Sequence, residues 1–170
     1  MTRAPDLVEP LVAFRTWRVA DGELVSPYLP ADWGAGVVEA RCVRGDPARF
    51  RHGEELLATE HVSPHPECRC GIHAYLEPRS AVAGIDFRRV LGIVVVWGAV
   101  ELHPAGLRAQ FARIRALGTS PAWSAWHRRE VEAIAARLGV PLLSEDALAP
   151  AATEFGSPVP ARLRGPASPA

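Results

Sequence analysis

Lysine and asparagine are both missing from this 170-residue chain. Without a lysine amine there is no Schiff base, no P-loop lysine and no lysine general base, which excludes pyridoxal enzymes, Walker-type NTPases and kinases of the usual kind. All nineteen basic residues are arginine, and Ala, Gly and Pro are abundant. That usage matches a GC-rich bacterial genome and reads as mutational bias rather than mechanism. An excess of one charge is also missing, because nineteen acidic residues balance the nineteen basic ones. No overall field draws the molecule to nucleic acid or an anionic membrane; only a local patch could do so. The most apolar run, Val90 to Val100, falls well short of the roughly twenty residues a membrane helix needs, so no membrane partner is expected. Met1 to Pro10 carries Asp and Glu and lacks the apolar core of a secretory signal, which points to the cytoplasm. Three cysteines in a reducing compartment are poor material for a disulfide framework and shift the weight toward a metal site or free thiols.

What is present is concentrated. His61-Val-Ser-Pro-His65-Pro-Glu-Cys68-Arg-Cys70-Gly-Ile-His73 gathers three of the six histidines and two of the three cysteines. Imidazole and thiolate bind zinc and iron best, and a thiolate beside a histidine is also how a nucleophilic cysteine is made. Around this segment 48% of the residues are apolar, enough for one domain with a core.

Leu11 to Val19 is rich in branched and aromatic residues and ends at Asp21-Gly22 before Glu23 to Val25, which predicts a β-hairpin. Val37 to Val43 alternates, placing Val38, Ala40 and Cys42 on one face, so Cys42 is expected to point into the core. Glu54 to His61 reads equally as a short helix or a strand. Ile72 to Leu76 is strand-like, and Leu91 to Leu102 is apolar on both faces, as a central strand is. Gly92 and Gly98 suggest a bulge or close backbone approach within it. Pro104, with Leu107, Phe111, Ile114 and Leu117 at helical spacing, predicts a helix closed by Gly118. A second is predicted from Ser120-Pro121 to Gly139, a short strand from Val140 to Leu143, and a third small helix from Glu145 to Phe155. The expected fold is therefore α+β, a mainly antiparallel, partly curled sheet of about five strands followed by two C-terminal helices, forming one domain over 1–156. The Pro/Ala/Ser-rich tail 157–170 is expected not to pack.

The ligand-rich segment has three readings. As a metal site, Cys68 and Cys70 sit about 6.5–7 Å apart at the α-carbons if the chain is extended, near the limit for joint ligation, and a turn at Gly71 would bring them closer. Gly71 also lets backbone N–H groups approach a sulfur, and His73 with His61 or His65 could complete a tetrahedron. That makes His61, Cys68, Cys70 and His73 the candidate ligands for zinc or iron, although zinc knuckles mostly place two residues between their cysteines and here there is one. As a plain loop, the cysteines are small buried hydrophobes and the histidines are solvated. As a reactive pair, Cys68 or Cys70 is a thiol activated by His61 or His73, with the other cysteine to resolve it, making a thiol-dependent redox protein or enzyme.

Two further groups compete with it. Glu101 and His103 share a face at the end of the central strand, where a carboxylate could orient an imidazole for acid–base work or support a metal site from outside; the bland reading is a strand end entering solvent. Arg108, Arg113 and Arg115, with Arg128 and Arg129 near Trp123 and Trp126, resemble a phosphate or nucleic-acid surface, although amphipathic helices carry such arginines on their wet sides. Val131 to Val140 imitates the start of a helix-turn-helix, but acidic residues follow where a recognition helix would begin.

The order Arg15-Thr-Trp17, Trp33, His61-x-Ser63-Pro64-x-x-x-Cys68-x-Cys70-Gly71-Ile72, Gly92 to Gly98 with Trp97, and Gly106-Leu-Arg108-Ala resembles an uncharacterised group of bacterial proteins. It spans about Leu11 to Leu117, and its His/Cys-x-Cys-Gly piece is the most specific part. The resemblance implies a compact unit built around that segment and brings no activity, cofactor or substrate with it. Dense ligands without a recognisable reaction centre point to a small binding module with a structural or regulatory metal rather than to an enzyme.

Overall fold

The computed structural model describes residues 10–26, 33–44, 57–58, 61–78, 89–104 and 106–164. Two long strands, β7 (Arg89–His103) and β8 (Gly106–Thr119), form an antiparallel pair at its centre. Strand β1 (Leu11–Ala20) lies along the other edge of β7, from Leu11↔Val96 to Arg18↔Arg89. It turns through Asp21 and Gly22 into β2 (Glu23–Val25). Both turn residues have positive φ, 52° and 73°, the two-residue hairpin geometry that Asp-Gly favours.

The far edge of β8 is covered piecewise. Strand β3 (Val37–Glu39) pairs with its middle, β6 (Ile72–Tyr75) with its beginning, and β9 (Leu142–Ser144) runs parallel to its end. Strand β6 also meets β1 at Phe14↔Tyr75, so the ladder β1–β7–β8–β6 returns to its start and the sheet closes on itself. A separate ribbon pairs β4 (Val43–Arg44) with β5 (Leu57–Ala58).

The α+β class and the antiparallel, curled sheet agree with the sequence, but among the described residues the sheet holds eight strands rather than about five. The largest difference is β8, where a helix is expected from the spacing of Leu107, Phe111, Ile114 and Leu117. The register shifts twice, between Ile93 and Val94 and between Trp97 and Val100, where Gly98 takes φ +78°. The extra residue lies on β8 at the first shift and on β7 at the second, and the inward face of β8 changes at both. The β8 side chains in the main core are consequently Leu107, Ala109, Ala112, Ile114 and Leu117, spaced alternately by two and three. That stretched alternation imitates a helical period.

Helix α1 (Ala125–Leu138) starts at the cap Ser124, whose hydroxyl accepts from the His127 amide at 3.2 Å, rather than at Ser120. It ends at Gly139 in the left-handed conformation, with Val140 N–H reaching back to Ala135 O at 3.0 Å. Its inner face sets Val131, Ile134 and Ala135 into the main core with Trp17, Trp33, Val94 and Val96. Helix α2 (Glu145–Ala151) packs Leu148 on the opposite face of the sheet against Val12, Phe14, Leu91, Ile93 and Ala116. The helical pieces are not all C-terminal: a short 3-10 turn lies at Trp33–Ala35, and β9 and the parallel strand β10 (Ser157–Pro158) alternate with the helices. The stretch expected to form a loose tail from 157 packs as far as Leu163: β10 pairs with Leu11 and Val12, Val159 is buried and Leu163 lies against the main core. Among the described residues no helix is long and apolar enough to cross a membrane.

Candidate metal centre

Strands β3 and β6 run in the same direction along the same edge of β8. Glu39 pairs with Phe111, Ala40 N–H donates to Gln110 O at 2.7 Å, and Ile72 pairs with Ala109. They behave as one strand interrupted by an excursion, Arg41 to Gly71, whose two feet stand at neighbouring positions on β8. The chemistry sits at the base of that excursion. Cys42 is in the outgoing foot and Cys70 in the returning one, while the β4–β5 ribbon folds the chain back so that His61 follows shortly after β5.

One ligand atom from each of Cys42, His61, Cys68 and Cys70 lies within 4.8 Å of all the others. The Cys42 and Cys68 sulfurs are 3.5 Å apart, and the Cys70 sulfur is 3.4 Å from His61 Nε2. Sulfurs around a tetrahedral zinc with bonds of about 2.3 Å stand roughly 3.7 Å apart, so the spacing suits an ion at the centre. Cys42 and Cys70 are buried, while Cys68 and His61 form the half-buried outer side. Three sulfurs and an imidazole are a soft donor set that suits zinc or iron and not calcium or magnesium.

A tight turn shapes the Cys68 end: Cys68 N–H donates to His65 O at 3.0 Å and Glu67 N–H to His65 Nδ1 at 3.3 Å. The backbone N–H of Cys70 holds the Cys68 thiol below its ordinary pKa; burial opposes this, and the Cys42 and Cys70 thiols and the Arg69 N–H reinforce it. Amides aimed at a sulfur are how knuckle-type sites carry thiolate charge. Gly71 follows with φ +124°, and a Cβ there would meet Arg108 Cβ at 3.0 Å and Pro64 Cβ at 3.2 Å. Only glycine lets the returning foot lie so close to β8.

Arg108 ties this loop to the sheet. It is 5% exposed, donates from Nη1 to Cys68 O and, at 3.2 Å, to Cys70 O, and pairs through Nη2 with Glu101 Oε2. Its Nε donates to His103 Nε2 at 3.2 Å, which leaves the proton of a neutral His103 on Nδ1. Glu101 and His103, read from sequence as a possible acid–base pair or outer support for a metal, both serve to orient this guanidinium.

The sequence candidates thus part company. His61, Cys68 and Cys70 come together, and His73 does not join them. Its Nε2 lies 3.0 Å from Arg69 O, and as part of β6 it is held opposite Arg108 in the ladder. Desolvation lowers its pKa, helped by the charges of Arg15, Arg108 and His103 and opposed by the Arg69 carbonyl. His65 stacks on His61 with ring centroids 4.6 Å apart and stays outside the group. Cys42, expected in the core, is buried but faces Cys68. The signal for it was slight: a third cysteine at a strand end next to a segment already rich in ligands. The arginines do not line two adjacent helices, because Arg108, Arg113 and Arg115 belong to β8 and only Arg128 and Arg129 to α1.

Comparison with protein-family models, with curated proteins and with solved structures finds no match for this chain.

Proposed function

We propose that the chain is a small metal-binding module in which Cys42, His61, Cys68 and Cys70 hold one zinc or iron ion, zinc being the better fit to three thiolates and an imidazole. The observation that carries this is the convergence of four ligand atoms to within 4.8 Å from three separated points of the chain. Four protein donors fill a tetrahedron and leave no position for water or substrate, so the role is structural or regulatory rather than catalytic. The free energy of binding the ion offsets the loop-closure entropy that bringing Cys42, His61, Cys68 and Cys70 together costs.

Elemental analysis of protein purified without an affinity tag tests this. About one equivalent of zinc or iron is expected, falling by at least tenfold in Cys42→Ala and in Cys70→Ala and remaining near one in His73→Ala. Metal-free protein that takes up no zinc or cobalt on titration refutes the reading.

A further inference from the structure

We propose that the centre is an oxidation-sensitive switch, in which Cys42 and Cys68 join as a disulfide under peroxide and release the ion. This rests on the reading of the site as a metal centre and adds its regulation. The three sulfurs are not equivalent. Cys42 and Cys70 are 7% and 5% exposed, whereas Cys68 is only half-buried and its neighbours Glu67 and Arg69 are exposed, so a solute arriving from water meets Cys68 first. The partner it then finds is Cys42, 3.5 Å away. Closing to the roughly 2.05 Å of a disulfide requires a small approach. Neither residue is itself in a strand ladder: Cys42 lies in the coil between β3 and β4, and Cys68 ends a turn.

Cys70 is placed differently. It leads through Gly71, wedged against Arg108 and Pro64, directly into β6, and its sulfur faces His61 Nε2 at 3.4 Å. A Cys68–Cys70 bridge would also have to span a single intervening residue, a poor geometry for an unstrained disulfide.

The chemistry balances with hydrogen peroxide as the oxidant. The Cys68 thiolate attacks one peroxide oxygen, the O–O bond breaks, hydroxide leaves and a sulfenic acid forms. The Cys42 thiolate then attacks the Cys68 sulfur, the S–S bond forms and the S–O bond breaks, expelling a second hydroxide. Two protons from the solvent convert the hydroxides to water. The two sulfurs lose two electrons and the peroxide gains them. His61 and Cys70 alone offer half a tetrahedron, so the ion departs, while the new covalent link spans the same excursion that the ion had closed.

Peroxide treatment of the zinc-loaded full chain, with metal content measured before and after, tests both layers separately. Trypsin cuts after Arg41, Arg44 and Arg69, which places Cys42, Cys68 and Cys70 in three different peptides. The expected result is loss of about one equivalent of zinc together with a cross-linked Cys42/Cys68 peptide pair, reversed by dithiothreitol and added zinc. Cys70→Ser should still yield that pair after peroxide, and Cys42→Ser should lose it. A Cys68/Cys70 pair, or Cys68 driven to sulfinic acid while Cys42 stays a free thiol, overturns the switch and leaves the metal reading intact. Protein that binds no zinc before peroxide overturns the metal reading, and release falls with it.

Discussion

The body of the sheet and the excursion from its edge are held by different physics. Along β7 and β8, Ile93, Val94, Val96, Ala112, Ala116 and Leu117 are almost wholly excluded from water, and two layers of apolar side chains, one under α1 and one under α2, surround the pair. Burial at roughly 25 cal/mol per Å² of apolar surface fixes this region without help. In the described part of the excursion the buried residues are Cys42, Ser63 and Cys70, and none of them belongs to either apolar core. Its order comes from directed contacts: sulfur and imidazole facing one another, and a guanidinium gripping two carbonyls. A chain can thus be fixed by many weak undirected interactions or by a few strong directed ones, and only the second kind can be switched by a change of ion or oxidation state.

Arg108 joins the two regions, and its removal should give the largest effect. Arg108→Ala frees both carbonyls and strands the largely buried Glu101 carboxylate, at a cost of about 3–5 kcal/mol in chemical denaturation. Zinc affinity measured by chelator competition should fall by roughly 10- to 100-fold, the range seen when outer supports of a site are lost. Unchanged affinity would mean that the grip on Cys68 and Cys70 is incidental.

Leu117→Ala should cost about 2–5 kcal/mol, because the side chain is fully buried where β8 meets both β7 and β9. In contrast to Arg108→Ala, it should leave the zinc stoichiometry of the folded protein unchanged. A loss of metal at temperatures where the variant is folded would show the two regions to be one unit.

Removing the ion comes next. At metal concentrations near one hundred times the dissociation constant, the linkage is worth about 2.7 kcal/mol. Hydrogen exchange after chelation should therefore accelerate in 61–71 while the amides of β7 and β8 keep their protection. Equal loss in both regions would dissolve the distinction between them.

The smallest effect concerns pH. Because the folded chain holds the His73 pKa below its ordinary 6.5, the unfolded chain takes up the proton first, and stability falls as pH drops below about 6.5 until His73 is protonated in both states. His73→Gln should flatten that part of the stability profile and leave zinc binding alone. A parallel profile in the variant would assign the slope to other groups.

Much of the body could be read from local pattern. The doubly apolar run Leu91–Leu102 became β7, Asp21-Gly22 became the hairpin turn, and the Gly139 stop of α1 was written in its sequence. The error at β8 arose because bulges are set by pairing with a partner strand, which spacing within one segment does not reveal. The candidate site was legible where its members are local, in His61, Cys68 and Cys70. Cys42 was not, because it lies 26 residues from the sulfur it faces and an inward cysteine on an alternating segment looks like any core residue. His73 lies outside the cluster for the opposite reason: its spacing is suitable, but pairing in β6 sets its backbone against Arg108 and leaves its ring on the Arg69 carbonyl.

X-ray absorption at the zinc edge of the loaded, tag-free protein reads the donor set directly. Three sulfurs at about 2.3 Å and one nitrogen at about 2.0–2.1 Å are expected for Cys42, Cys68, Cys70 and His61. Two sulfurs with two nitrogens, the set that would include His73, or a shell dominated by oxygen would contradict it.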